Sequence, residues 1–316
     1  MVKKGIFRVL RVAAKIALST AALWLVFRKI ETGEMIALMG SARPAWLLLA
    51  VLLFNASQWF SAGRLNLFLR SADVRLPYFQ NLVLYYVGMF YNLFLPGGIG
   101  GDGYKVYLLN RHFDTPVKKL ILLLLHDRLS GLAGLLLLLL GLMFAFWPVK
   151  HINLLPVVSF LMIAAIAVYI ALIYRFFSSL RSILTGSFVL SILIQGLQVL
   201  AALALFFSLG GSGNPGPYLM LFLCSSIAAV LPFTIGGIGA RELVFVYGYQ
   251  YLQIDQNLAV ALSLLFFMIT AISSLAGIAM PQNPLKGAGE RDRNRRKDSP
   301  KSSDNVPEKA KTQDWP

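Results

Sequence analysis

Cysteine is almost missing from this chain: Cys224 is the only one in 316 residues, and it sits in an apolar run. That count excludes a disulfide framework and a thiolate metal site, and it leaves the redox compartment open. Histidine is nearly as scarce, with three copies and no pair at ligand spacing, so neither a metal nor a cofactor is expected. No phosphate-binding loop of the nucleotide-dependent pumps is present, which removes direct nucleotide energy from the options. Strict apolar/polar alternation is also lacking, and with it the signature of a membrane barrel. Acidic residues are few, 14 against 29 Lys and Arg, for a formal charge of +15. The basic residues lie at both ends and in loops flanking apolar segments, a pattern of membrane topology and anionic lipid contact rather than of nucleic acid binding.

What is abundant is apolar sequence: 57% of residues, for a mean hydropathy of +0.69. It arrives in blocks at 12–27, 45–63, 78–101, 119–147, 152–174, 186–209, 217–240 and 257–280. Each is close to the roughly 20 residues that cross a bilayer as a helix. The chain therefore reads as an all-α polytopic membrane protein. Lys3, Lys4, Arg8, Arg11 and Lys15 precede the first block as in a signal peptide, but no small-residue cleavage site follows, so the block is expected to remain as a first span. Residues 1–280 form the expected membrane domain. From Pro281 on, Pro, Ser, Lys, Asp and Asn dominate, and 281–316 is expected to be a disordered, charged cytoplasmic tail whose Arg291 to Lys297 stretch solubilises or touches anionic headgroups.

One motif occurs twice. Leu95-Pro96-Gly97-Gly98-Ile99-Gly100-Gly101-Asp102-Gly103 returns as Leu231-Pro232-Phe233-Thr234-Ile235-Gly236-Gly237-Ile238-Gly239, identical at six of nine positions. Two residues past each final glycine stands a cation, Lys105 or Arg241. Proline removes a backbone donor and glycine loosens a helix, so each copy should break a membrane helix. Such breaks survive in lipid only where protein or water satisfies the backbone, as at the polar sites of transporters built from inverted repeats. Glycine N–H groups, a helix start near Asp102 and the cation one turn inside make an anion site, against the plainer reading that the glycines serve a turn or tight packing. Gly98, Gly100 and Gly103 also match a dinucleotide fingerprint, but no strand precedes them.

Crossing at all eight blocks places Lys105, Arg111, Lys118 and Lys119 outside, against the positive-inside rule. If 78–112 and 217–254 instead enter and return, six spans remain and Arg64, Arg70, Arg75, Lys105, Arg111, Lys118, Lys119, Arg175, Arg181 and both termini fall on the cytoplasmic side. The hairpins then open to opposite faces, an inverted pair; eight spans stay as the alternative. Within the 119–147 block, His126-Asp127-Arg128 is costly unless paired or hydrated. Asp127 is a candidate partner for Lys105, Arg128 or Arg241, and the competing reading is an interfacial pair with Arg128 snorkelling. His126 reads as structural or interfacial. Arg241-Glu242 poses the same choice beside the second break, and Arg64, at the end of the second block, reads by itself as an orientation charge. Asn55-Ala56-Ser57 matches a glycosylation sequon inside an apolar run and is discounted.

Arg64, Gly88, Asn92, Pro96, Gly100-Gly101-Asp102, Lys105, Asp127-Arg128 with Gly131, then Leu231-Pro232, Ile235 to Gly239 and Arg241-Glu242, form a joint pattern. In it the chain resembles the transmembrane region of lysylphosphatidylglycerol synthases and the stand-alone flippase-like membrane proteins related to it. The resemblance runs to about Met280, and Lys105 stands where that family often has arginine. It implies handling or moving a phospholipid or polyprenyl-linked lipid in the cytoplasmic membrane. The aminoacyl-transferase domain of the synthases has no counterpart in the charged tail, so the synthesis reaction is not expected. The expected function is a flippase-like lipid transporter. Its site would draw on Arg64, Asn92, Pro96, Gly97, Gly98, Gly100, Gly101, Asp102, Lys105, Asp127, Arg128, Pro232, Thr234, Gly236, Gly237, Gly239, Arg241 and Glu242. Glycine N–H groups with Lys105 and Arg241 would hold phosphate, and Asp127 and Glu242 would balance charge or bind a coupling proton. Two rivals are a membrane enzyme using His126, Asp127 and Glu242 as acid/base groups, and an assembly partner of a lipid synthase or glycosyltransferase.

Overall fold

The computed structural model describes residues 32–94, 100–146, 155–230, 240–281 and 283–285. All regular structure among them is helical. In chain order the helices are α1 (Thr32–Gly40), α2 (Pro44–Arg70), α3 (Tyr78–Phe94), α4 (Gly100–Phe113), α5 (Val117–Phe146), α6 (Leu155–Phe176), a 3-10 turn (Ser178–Ile183), α7 (Leu184–Ser208), α8 (Gly216–Val230), α9 (Ala240–Leu252) and α10 (Gln256–Ala279). Local chemistry sets several boundaries. Pro44 opens α2, where its missing N–H has no partner to lose. Asp255 caps α10 by accepting from Leu258 N at 2.6 Å.

Among the described residues, five helices are long and apolar enough to cross a bilayer: α2, α5, α6, the stretch Ser179–Ser208 containing α7, and α10. The expected first span, 12–27, lies outside the described residues, as do Lys3 to Lys15 and the basic Arg291 to Lys297. Within the blocks at 78–101 and 217–240 the described helices are two apiece, α3 to Phe94 and α4 from Gly100, then α8 to Val230 and α9 from Ala240; the expected breaks at 95–99 and 231–239 lie outside the described residues.

Pairings across the bundle fix direction. Arg43 N donates to Ser208 O (2.8 Å) and Gln198 Nε2 to Ser57 Oγ (3.4 Å), so α2 and α7 run antiparallel. Tyr91 stacks near Tyr104, and Gly101 N donates to Asn92 Oδ1 (2.8 Å), so α3 and α4 fold back as an antiparallel hairpin. Gly101 lies so close to Gly88 that a Cβ would overlap the Gly88 carbonyl, and only glycine permits that approach. In the second hairpin Gly248 of α9 faces Leu221 of α8, while Tyr218 Oη accepts from Asp255 N (3.0 Å) just past α9.

The two hairpins open at opposite ends of the bundle. At one end Leu65 and Leu69 of α2, Leu84 of α3, Leu109 and Phe113 of α4, and Leu120 and Leu124 of α5 share one apolar cluster. Leu285 joins it, fully buried, so the segment expected to be disordered from Pro281 still packs onto the bundle at its start. The other end gathers the beginnings of α2, α8 and α10, the ends of α5 and α7, and α9: Ala50, Met143, Leu205, Tyr218, Phe245 and Val260 belong to a second, larger cluster. Helix α6 is peripheral, burying Ser159, Met162, Tyr169 and Ile173 along one stripe and exposing Val157, Phe160, Leu161 and Val168. Such an apolar outer face is what a hydrocarbon solvent requires.

The order helix, hairpin, helix thus occurs twice, as α2, α3/α4, α5 and as α7, α8/α9, α10. Arg111 near the end of α4 and Ser212 in the loop after α7 are exposed at opposite ends. Gly213 is avoided as a labelling site because its φ of +81° suits glycine alone. In a Cys224→Ser background, Arg111→Cys and Ser212→Cys are expected to react with an impermeant thiol reagent from opposite sides of the membrane. Reaction from one side would rule out the opposed hairpins.

Candidate functional site

A cavity of about 300 Å³ lies at mid-bundle, beside the larger apolar cluster, whose Phe54 and Phe266 form part of its wall. Met89, Asn92 and Leu93 reach it from the far end of α3, Ser226 and Ala229 from the far end of α8, and Arg241 from the start of α9. Phe54 and Gln58 of α2, Arg128 of α5, Gln198 of α7 and Phe266, Thr270 and Ser274 of α10 close it. The described helix ends flanking residues 95–99 and 231–239 therefore converge on one space from opposite directions. Its volume is that of a pocket for a small polar group. Among the described lining residues two are cations, none is an acid, and amides and hydroxyls supply the rest of the polarity.

Three consecutive residues of α5 serve three surroundings, because each step along a helix turns the side chain by about 100°. Asp127 faces α2, where its Oδ1 accepts from Arg64 Nε at 2.8 Å, and both residues are buried. Arg64 Nη1 also donates to Ser191 Oγ of α7 (2.8 Å), which lies 2.9 Å from Ser130 Oγ. Gly131 makes room for the guanidinium, since a Cβ there would stand 3.0 Å from Nη1. Arg128, next along, lines the cavity and donates from Nε to Asp102 Oδ2 of α4 at 2.6 Å. His126 turns the other way, its ring 4.3 Å from that of Phe177. Tyr169 Oη donates to the His126 carbonyl at 3.3 Å.

The first hairpin carries its own charge cluster. Lys105 is 5% exposed, with Nζ 4.3 Å from the centre of the Tyr85 ring and 3.6 Å from Asp102 Oδ1. Its stem packs on Gly88, where a Cβ would stand 2.6 Å from Lys105 Cε. Asp102 lies in the first turn of α4, a position that favours a carboxylate. Arg241, the equivalent cation of the second hairpin, lies 5.4 Å from the Phe266 ring centre and lines the cavity.

The sequence-predicted residues thus fall into groups. Asn92, Arg128 and Arg241 meet at the cavity; Asp102 and Lys105 stand behind Arg128; Arg64 and Asp127 pair deeper among α2, α5 and α7. Two expectations change. Arg64 is no terminal orientation charge, because α2 continues to Arg70 and the side chain is buried in an ion pair. Asp127 takes Arg64 as its partner, while the carboxylate beside Arg128 and Lys105 is Asp102. Gly100 begins α4, and Gly101 is held by Asn92. Pro96, Gly97, Gly98, Pro232, Thr234, Gly236, Gly237 and Gly239 lie outside the described residues, as does the side chain of Glu242.

Sequence reading missed Gln58, Gln198, Ser226, Thr270 and Ser274. A signal existed: Ser187, Ser191, Gln195 and Gln198 recur at helical spacing within an apolar run, as do Thr270 and Ser274, and polar residues on one face of such a helix turn inward. Asn55, discounted as a sequon, donates to Ser273 Oγ (3.1 Å) and accepts from Tyr86 Oη (2.8 Å).

The family model described as lysylphosphatidylglycerol synthase TM region matches residues 12–277. No curated protein matches the chain.

Removing one partner of a buried ion pair leaves an uncompensated charge and costs about 3–5 kcal/mol. Asp127→Ala is therefore expected to lower the melting temperature in detergent sharply. The double change Arg64→Met with Asp127→Leu should recover most of the loss. A double variant no more stable than Asp127→Ala would show that the pair is not the source of the stability.

Proposed function

The chain belongs to the lysylphosphatidylglycerol synthase TM-region family of membrane domains, and from that premise we propose that this multi-pass protein is a flippase-like transporter for lipids with an anionic headgroup. The observation that carries the reading is the cavity at the ends of two hairpins entering from opposite sides, with Arg128 and Arg241 in its wall. A phosphate there meets two guanidiniums, each able to give paired N–H donors to its oxygens. Gln58, Asn92, Gln198, Ser226, Thr270 and Ser274 offer hydrogen bonds to the rest of the headgroup. Acyl chains stay in the bilayer beside the apolar outer faces. No nucleotide enters, so an ion gradient, a partner or downhill movement drives the transfer.

Helix lengths support the re-entrant reading. At 1.5 Å per residue, the 17 residues of α3 and 14 of α4 extend about 25 and 21 Å, short of the roughly 30 Å hydrocarbon core. The 15 residues of α8 and 13 of α9 fall equally short. Both hairpins then turn inside the membrane, and with 12–27 as a further span the long helices cross six times. Arg70, Lys118 and Arg181 fall toward the cytoplasmic face with both termini, and the loop holding Ser212 faces outward. The membrane is the cytoplasmic one. A lipid-modifying enzyme is a fitting partner, and the chain itself acts by moving its ligand rather than by changing it.

Full-length protein reconstituted in phosphatidylglycerol/phosphatidylcholine vesicles is expected to equilibrate a labelled phosphatidylglycerol between leaflets without altering it chemically. Arg128→Ala and Arg241→Ala should each slow that movement at least about tenfold, the cost of one charge-assisted contact, at near-normal abundance. Undiminished movement in both variants would remove the cavity from the path, and a chemically altered lipid would make the protein an enzyme.

A further inference from the structure

The cavity cation Arg128 is already bonded to a carboxylate of the protein itself, and that carboxylate has a second cation behind it. Asp102 sits between Arg128 Nε (2.6 Å from Oδ2) and Lys105 Nζ (3.6 Å from Oδ1). The two cations differ in setting. The Arg128 side chain is 35% exposed and reaches the cavity, whereas the Lys105 side chain is 6% exposed, wedged between Tyr85 and Gly88. Lys105 is not among the cavity-lining residues. It therefore meets no ligand in the cavity directly, and its nearest acidic partner is Asp102.

We propose that Asp102 is a built-in competitor for the anion of the ligand: it holds Arg128 while the cavity is empty, and an entering phosphate displaces it, after which Lys105 and the first turn of α4 keep the released carboxylate neutralised. The proposal rests on the reading of the cavity as an anion site and assigns Asp102 and Lys105 their parts in it. Physical reasons favour an exchange over a fixed pair. A carboxylate losing its only cation in a buried place is strongly disfavoured, and Lys105 removes that penalty. Apparent affinity falls in proportion to the fraction of sites whose cation is available, so an internal competitor weakens binding and eases release. For a transporter, a ligand that leaves is as necessary as one that enters.

The signs of the mutational effects distinguish this arrangement from a simple phosphate-binding lysine. Removing the competitor (Asp102→Asn) is expected to tighten binding about tenfold, one hydrogen-bonded charge pair in scale. Removing the charge behind it (Lys105→Gln) leaves Asp102 bound to Arg128 alone and is expected to weaken binding by a similar factor. In the double variant Asp102→Asn with Lys105→Gln, the competitor is gone and binding should return at least to the wild-type value. A lysine that contacts phosphate itself would instead keep the double variant weak.

The test is calorimetric titration of dihexanoylphosphatidylglycerol into the full-length protein in phosphatidylcholine nanodiscs, with dihexanoylphosphatidylcholine as the zwitterionic control. The order Asp102→Asn tighter than wild type, Lys105→Gln weaker, and the double variant restored supports the proposal. Asp102→Asn binding no tighter than wild type overturns it, and that variant decides the matter alone should Lys105→Gln fail to accumulate. No binding by any of the four proteins overturns it together with the anion site. If the order holds but reconstituted protein moves no lipid, the transport reading falls and the competitor stands; if lipid moves but the order is absent, the reverse applies.

Discussion

The Arg64–Asp127 ion pair sets the rotation of α5, and with it which side chain of that helix faces the middle of the bundle. In apolar surroundings an unpaired charge is expensive, so Asp127 must turn toward Arg64, which α2 presents alongside Ser191 of α7. Once Asp127 is fixed, its neighbours have no freedom. Arg128 must point to the cavity and His126 to the aromatic pocket of Tyr169 and Phe177. A pair formed among α2, α5 and α7 thus aims a cation that belongs to none of its own contacts.

Around that pivot the bundle is built twice over. Each half supplies a long helix, a short hairpin and another long helix, and the hairpins enter from opposite ends. The described ends of the short helices meet polar groups inside the bundle: Asn92 accepts from the backbone of Gly101, and the ends of α3 and α8 and the start of α9 border the cavity. The larger apolar cluster joins the two halves, and Gln58, Gln198 and the two arginines line the cavity beside it. Chemistry and architecture agree there, because a membrane interior keeps cations and amides only where they have a use.

Much of this was legible in the sequence because membrane proteins write their spans in long apolar blocks and their breaks in proline and glycine. The repeat of Leu95 to Gly103 at Leu231 to Gly239 announced two broken helices, and the positive-inside pattern suggested their opposed entry. Three-dimensional pairing was not legible. Nothing in the local sequence says that Asp127 should choose Arg64, 63 positions away, over the adjacent Arg128. Equal spacing from the two motifs made Lys105 and Arg241 look alike, yet Gly88 and Tyr85 draw the Lys105 chain into the hairpin while Arg241 reaches the cavity beside Phe266. Isolated hydroxyls and amides such as Thr270 and Gln58 are easily passed over, since serine and threonine are common in membrane helices and satisfy themselves on the preceding turn, as Thr270 does on the Phe266 carbonyl.

In the proposed anion site each hairpin lends a wall to one cavity. The most direct measurement is a cryo-electron microscopy map of the full-length protein in nanodiscs containing phosphatidylglycerol. Headgroup density is expected between Arg128 and Arg241, with phosphate oxygens within hydrogen-bonding distance of both guanidiniums. An acyl chain filling that space, or headgroup density confined to the bundle's outer surface, would contradict it.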